Sequence, residues 1–278
     1  MDKHPVLRLL AVLLCGALGL LLVLYPLISN SLYENRQDGV VETYQTAVTG
    51  TLPDQKKAQA LSAAHAYNRQ LLAVAQTEAV PAEPPKSLLN VTGSGVIATL
   101  SIPKLQLSLP VYYGTETETL EHGIGTLEGR SLPVGGTGTH AVLCGHSGLS
   151  SAKLFSDLPL MNEGDTFYID VLGERLTYEV DQIRTVLPED MGLIAIEPAE
   201  DYCTLLTCTP FGVNTHRLLV RGTRVATVTE VENIAIEEPA ESVWMQEYLS
   251  SLLVSAGVVL ALTLVFILIY LLRRRRRP

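Results

Sequence analysis

Two long apolar runs, one near each end of the 278-residue chain, restrict its fold more than any other feature. Residues 9–28 follow a basic start with Lys3 and Arg8, and residues 248–272 precede the arginine block 273–277. Each run reaches the roughly 20 residues that a membrane-spanning helix needs. Because positive charge stays on the cytoplasmic side, we expect a two-pass cell-membrane protein with both termini cytoplasmic and the part between the runs extracellular. The alternative for the first run is a cleaved signal peptide.

The part of the chain between the runs is acidic. It holds 28 of the 29 Asp and Glu residues but only 13 of the 20 Lys and Arg residues. This excess of negative charge repels a nucleic-acid backbone, so we expect no nucleic acid among the partners. The arginine block directly follows an apolar run and is interpreted as a stop-transfer anchor.

Composition divides the chain into six segments. Residues 54–78 are rich in helix formers with apolar positions three and four apart, which predicts an amphipathic helix before the prolines of 80–86. From Val96, seven short β-prone segments separated by Gly, Pro and Asp predict a closed barrel or a sandwich. The predicted segments are an N-terminal transmembrane anchor (1–29), an extracellular helical segment and connector (30–94), a β domain (95–228), an acidic stalk (229–247), a second transmembrane helix (248–272) and a basic tail (273–278).

The stretch from Tyr202 to Gly222 carries the first candidate site. Cys208 ends one apolar, β-prone run and Arg217 begins the next, with the loop-forming sequence TPFGVNT between them. If the two strands pair antiparallel, the thiol and the guanidinium lie at the same end of the sheet. A cation there can hold a thiolate or a developing oxyanion.

Cysteine placement favours a working thiol over a disulfide scaffold. Cys15 lies inside the first apolar run. Cys203 and Cys208 are five apart on one predicted strand, which puts them on opposite faces and roughly 16 Å apart. The two cannot form a disulfide with each other.

A cysteine nucleophile needs a partner that exchanges its proton. His146 is the best candidate, because it follows an apolar strand ending at Gly145 and begins a loop. His122, His140 and His216 are the competitors. A thiol, a histidine and an arginine together indicate acyl transfer, without deciding whether water or an amine receives the acyl group.

Four sequence elements carry a resemblance to a known family: GTLEGRSLPVGG, THAVLCGHSGL, AKLFSDL and TLLTCTPFGVNTHRLLVRG. Together they resemble the sortases, membrane-bound cysteine transpeptidases of Gram-positive bacteria, and most of all the class C branch that polymerises pilins. The resemblance covers about residues 95–228. It implies a mainly β fold: a closed sortase-type β-barrel of about eight strands, with an N-terminal helical segment and two flanking transmembrane helices.

The resemblance also implies roles for individual residues. Cys208 corresponds to the nucleophile, His146 to the acid/base and Arg217 to the essential arginine, while Thr207 lines the substrate groove. The implied reaction cleaves an LPXTG-like sorting signal between Thr and Gly and joins the acyl group to a pilin lysine amine, without a metal or cofactor. The alternatives are a housekeeping-type sortase that anchors surface proteins to peptidoglycan, a non-catalytic membrane-tethered adaptor and a secreted cysteine hydrolase.

Two features depart from the class C pattern, and one further residue, Cys144, is not explained by it. The possible lid region has Glu83-Pro84-Pro85 in place of an Asp-Pro-aromatic anchor, so we expect no lid of the usual kind. Ser147 stands where class C members commonly have Arg. Cys144 shares a strand face with His146, and is either a small packing residue or the partner of Cys208 in a reversible disulfide.

Overall fold

A computed structural model describes residues 5–75, 84, 86–149, 151–190, 192–227 and 242–275. The chain forms two compact units, residues 26–240 and residues 1–25 together with 241–278. Most of the expected acidic stalk lies outside the described residues, as do Glu83 and Pro85 of the possible lid region.

The larger unit is built on a closed barrel whose strand order is β1-β2-β3-β4-β7-β8-β6-β5. Two neighbouring pairs, β2 with β3 and β4 with β7, are parallel, and the other pairs are antiparallel. The barrel prediction is confirmed. The strands are β1 (Val96–Ile102), β2 (Leu107–Tyr113), β3 (Ile124–Thr126), β4 (Thr139–Cys144), β5 (Thr166–Val171), β6 (Glu174–Val186), β7 (Asp201–Thr209) and β8 (His216–Val225).

The barrel interior is filled by aliphatic and aromatic side chains from every second strand position. Phe167 and Tyr178 are fully buried and stack with ring centroids 5.5 Å apart. A Cβ on Gly222 would lie 2.7 Å from the Phe167 ring, so β8 passes these rings only because this position has no side chain. This packing keeps β7 and β8, the strands with Cys208 and Arg217, against a rigid interior.

Helix α1 (Pro5–Thr46) continues past residue 29, where we expected the anchor to end, and leads into a π-helical turn (Ala47–Thr51). Within the larger unit, the buried side chains of this helix and of the turn recur three or four positions apart: Gln37, Val41, Tyr44 and Val48. The Tyr44 hydroxyl donates to the carbonyl oxygen of Ile97 (3.1 Å) and accepts from the backbone N–H of Leu172 (3.2 Å). The helix is therefore joined to both β1 and the β5–β6 turn.

The amphipathic helix expected at 54–78 is α2 (Asp54–Ala75). Leu61, Ala64 and Leu71 are buried, as the spacing predicts. Asn68 fixes the helix further, because its amide donates to the carbonyl oxygen of Leu132 (3.0 Å) and accepts from the N–H of the same residue (2.8 Å). Short helix α3 (Thr117–His122) lies between β2 and β3.

In the smaller unit, the second apolar run forms helix α4 (Val243–Arg275). Trp244 stacks on Tyr248, whose hydroxyl donates to the carbonyl oxygen of Val23. Two helical segments, Leu13–Thr51 and Val243–Val265, are long and apolar enough to cross a membrane. The described leucines of both runs are largely exposed, as expected of side chains that face lipid.

Candidate active site

Cys208 and Arg217 are directly opposite each other in the antiparallel pair of β7 and β8. Both side chains are half-buried, and the loop 210–215 joins their strands. Opposed residues of this kind have Cβ atoms about 5 Å apart. The predicted hairpin is confirmed, and it brings the thiol and the guanidinium together at one end of the barrel.

Carbonyl groups of the adjoining loop and of the first residue of β8 hold the Arg217 side chain. Its Nη1 donates to the carbonyl oxygens of Asn214 (3.2 Å) and His216 (3.0 Å). Within the described part of the chain, Nε and Nη2 donate no hydrogen bond, which leaves donors for an incoming group.

His146 reaches the same end of the barrel through the parallel pair β4 and β7. Cys144 pairs with Leu206, and the backbone N–H of Gly145 donates to the carbonyl oxygen of Leu206 (3.1 Å). Continued for two residues beyond Cys144 and Leu206, this register places His146 beside Cys208. His146, Cys208 and Arg217 thus form a row across three adjacent chain segments, called here the site row.

The loop after His146 contacts the loop between Cys208 and Arg217. Gly148 has φ +79°, and a Cβ there would lie 2.9 Å from the backbone nitrogen of Gly212. The loop is closed by two hydrogen bonds, from Phe155 N–H to the carbonyl oxygen of His146 (3.0 Å) and from Gly148 N–H to Ser156 Oγ (3.1 Å). Only glycine allows this conformation and approach without strain.

Thr207, expected to line the substrate groove, has a side chain that is only 1% exposed. Its hydroxyl donates to the carbonyl oxygen of Gly145 at 2.7 Å. Strand alternation turns this side chain to the opposite face from Cys208. The Thr207 hydroxyl therefore fixes the backbone of Gly145, the residue before His146.

Cys144 belongs to a small apolar cluster on the outer face of the barrel with Val142, Ile194 and Leu219. Burial raises the pKa of its thiol to about 12, and the nearby Cys208 acts in the same direction. From the register, the Cα atoms of Cys144 and Cys208 are roughly 8 Å apart, more than a disulfide spans without backbone movement. The packing interpretation of Cys144 therefore agrees with the structure better than the disulfide hypothesis. All four cysteines are free.

Exposed apolar side chains adjoin the site row. Among the described residues from 52 to 227, the exposed large hydrophobic side chains are Leu187 (50%), Leu193 (38%) and Val213 (64%). The first two lie between β6 and β7, and the third lies between β7 and β8. Both loops flank the site row, and the sequence patterns gave no indication of this apolar rim.

The other three candidate histidines lie outside the site row. His140 is fully buried, with Nδ1 2.8 Å from the carbonyl oxygen of Ala195 and Nε2 2.7 Å from Thr204 Oγ1. Burial lowers its pKa to about 4, so the ring is neutral and donates through Nδ1. His216 pairs with Thr209, and its side chain lies on the opposite face of β8 from that of Arg217. His122 is exposed, and its Nδ1 is hydrogen-bonded to the carbonyl oxygen of Glu118 within α3. His140 instead fixes the β6–β7 loop over the apolar cluster.

No group of three or more His, Cys, Asp and Glu side chains able to hold a metal ion occurs in the described part of the chain. A thiol, an imidazole and a guanidinium in one row can supply a cysteine nucleophile, a proton-transfer partner and an oxyanion donor.

Comparison with known proteins identifies the family. A family model, the sortase domain, matches residues 100–225. Sortase A from Streptococcus agalactiae is 32% identical over 117 residues, which are 41% of this chain and 47% of that protein. The chain thus spans about half the length of that curated relative.

Solved structures match over nearly their whole length. Sortase A from Corynebacterium diphtheriae, in a lid mutant, is 44% identical with a TM-score of 0.58, covering 64% of this chain and 97% of that chain. Sortase C from Streptococcus pneumoniae is 38% identical with a TM-score of 0.62, covering 69% of this chain and 100% of that chain.

Fold and site together define a cysteine acyl-transfer protein built on a closed β-barrel. The chain belongs to the sortase family of cysteine transpeptidases, and the recurrence of class C sortases among its structural relatives supports placement in that class.

Proposed function

We propose that the protein is a membrane-bound transpeptidase that cleaves an LPXTG-like sorting signal between Thr and Gly and transfers the acyl group to a lysine amine of a pilin. The observation that carries the proposal is the site row, in which a half-exposed thiol lies between a histidine and an arginine with unused donors. Membership of the sortase family supports the same chemistry.

In the first half-reaction, the thiolate of Cys208 attacks the Thr carbonyl carbon. The carbonyl oxygen becomes an oxyanion, which the free N–H groups of Arg217 stabilise. His146 donates a proton to the leaving glycine nitrogen as the C–N bond breaks, which leaves a thioester on Cys208.

The second half-reaction releases the acyl group. A neutral lysine amine attacks the thioester carbonyl, and His146 now accepts a proton from the attacking nitrogen. The C–S bond breaks, Cys208 leaves as a thiolate, and an isopeptide bond joins the two chains. Thr207 acts in both steps by holding Gly145, and hence His146, in register with β7.

The apolar rim supports a peptide as the substrate. Leu187, Leu193 and Val213 offer exposed apolar surface on the two loops that flank the site row, which suits the Leu and Pro side chains of a sorting signal. The β6–β7 loop that carries two of them is fixed through Ala195 by His140. This part of the apolar rim is thus held in place before substrate arrives.

A pilin acceptor is favoured by similarity to Streptococcus pneumoniae Sortase C, whose structure is described in terms of pilin substrate specificity. The two apolar helices suit a two-pass arrangement with both ends cytoplasmic and the barrel extracellular, because basic residues adjoin the outer ends of both runs. Anchoring of surface proteins to peptidoglycan is the second candidate, favoured by the resemblance to Sortase A proteins.

The acceptor is tested with the full-length protein in detergent and a fluorescent LPXTG-like peptide. One sample receives a lysine-bearing pilin domain, a second receives a pilin with its lysines replaced by arginine, and a third receives a peptidoglycan-type amine. The proposal expects an amine-dependent conjugate in the first sample only, and none with Cys208→Ala. A conjugate only with the peptidoglycan amine would favour wall anchoring, and equal release without any amine would indicate a hydrolase.

A further inference from the structure

The first residues after the N-terminal apolar run contact the loop that carries His146. Ser29 Oγ donates to the carbonyl oxygen of Ser151 (3.1 Å), and the backbone N–H of Lys153 donates to Asn30 Oδ1 (2.7 Å). Both hydrogen bonds are half-buried and join positions 122 and 123 residues apart. Helix α1 is therefore bonded to the β4–β5 loop at two successive positions.

The same loop segment is bonded to His146 on its other side. The N–H of Phe155 donates to the His146 carbonyl oxygen, and Ser156 accepts from Gly148. Lys153 Nζ lies 3.3 Å from a carboxylate oxygen of Asp157, whose side chain is only 4% exposed. These contacts make residues 151–157 a short, well-bonded connection between helix α1 and His146.

One residue in this connection has an unfavourable backbone conformation. Leu154 has φ +43° and is 2% exposed. A residue with a Cβ occupies this region only where its surroundings hold it there. Leu154 lies between the residue bonded to Asn30 and the residue bonded to His146. Loss of the Asn30 contact therefore allows Leu154 to relax, and this movement passes through Phe155 to His146.

We propose that Asn30 is a positioning residue for His146, so that helix α1 both anchors the chain and holds the acid/base histidine in line with Cys208. The inference rests on the proposed function, in which His146 exchanges protons with substrate and acceptor. Asn30 touches neither. It acts through Lys153, Leu154 and Phe155.

The first test compares steady-state kinetics of the full-length protein and Asn30→Ala in detergent. Loss of one such hydrogen bond predicts a kcat that is about tenfold lower, with KM changed by less than about twofold. Asn30→Asp keeps an acceptor oxygen and restores most of kcat. Asn35→Ala is the matched control, because Asn35 is exposed on the same helix, and it retains wild-type kcat.

The second test follows alkylation of Cys208 by iodoacetamide across pH, with the labelled peptide quantified by mass spectrometry. Thiolate reactivity depends on the neighbouring histidine. Asn30→Ala is expected to shift the pH profile of alkylation while its melting temperature stays within about 3 °C of wild type. Ser29→Ala, which removes the neighbouring hydrogen bond, is expected to shift the profile in the same direction by a smaller amount.

Wild-type kcat and a wild-type alkylation profile for Asn30→Ala would overturn the inference. A lower melting temperature with an unchanged profile would also overturn it, because the contact would then be structural only. If the wild-type protein shows no amine-dependent transfer from any peptide, the proposed function fails. The alkylation profile still decides the role of Asn30 in that case.

Discussion

Thr207→Val offers the sharpest perturbation of the site without a change in shape. Valine replaces the hydroxyl with a methyl group, so the hydrogen bond to the Gly145 carbonyl oxygen is lost while the buried volume is retained. Leaving a buried acceptor without this donor costs about 1–3 kcal/mol. For a domain of this size that cost lowers the melting temperature by roughly 2–12 °C. His146 follows Gly145 directly, so kcat is expected to fall as well.

Differential scanning fluorimetry and steady-state kinetics measure the two effects, with Thr207→Ser as the matched control. Serine keeps the hydroxyl and is expected to restore both the melting temperature and kcat. A Thr207→Val protein with wild-type values for both would refute the positioning role. A raised KM with unchanged kcat and stability would instead show that Thr207 contacts substrate, as the family resemblance implies.

Three further predictions concern other parts of the site. Burial lowers the pKa of His140 from 6.5 to about 4, so the unfolded chain binds a proton in this pH range that the folded protein does not. The free energy of unfolding therefore falls by up to about 3 kcal/mol as pH drops from 6.5 to 4. Thermal melts across this range should show a smaller fall for His140→Gln. Gly148→Ala places a Cβ 2.9 Å from the backbone nitrogen of Gly212 at φ +79°, and kinetic assays should show kcat lowered at least about tenfold. Gly164 also has a positive φ but lies in open space, so Gly164→Ala should lower stability only. Cys144→Ala should remain active, and intact-mass analysis of the wild type after mild oxidant should show no Cys144–Cys208 disulfide.

The strand pattern could be predicted from the sequence to a large extent. The seven β-prone segments correspond to seven of the eight strands, because each has the β-branched or aromatic residues that a pleated surface favours. Strand β3 was missed. It has three residues, lies in the glycine-rich stretch 123–138, and exists only through its pairing with β2 and β4.

The sequence predicts those parts of the site whose residues are close together along the chain. The pair Cys208 and Arg217 follows from a hairpin whose loop is visible in the sequence. The position of His146 beside Cys208 does not, because it depends on the parallel pairing of β4 with β7. The strand-end position of His146 marked it as a candidate, and the family resemblance assigned its role. The buried position of Thr207 follows from strand alternation, which the motif alone does not convey.

The packing of helix α1 on the barrel could not be predicted from the sequence pattern. Residues 30–50 have little apolar periodicity, because two of the positions that face the barrel are Gln37 and Tyr44. The hydrogen bond from Lys153 to Asn30 joins residues 123 positions apart, so no local pattern could reveal it. Contacts of this kind become visible only when the whole chain has folded.

Mass spectrometry of Cys208 tests the central claim most directly. The full-length protein is incubated with LPXTG-like peptides without an amine acceptor, quenched in acid and digested. We predict a thioester between Cys208 and the fragment that ends in Thr, formed in wild type, strongly reduced in His146→Ala and absent in Cys208→Ala. An acyl adduct on another residue, or peptide cleavage that continues in Cys208→Ala, would contradict the account.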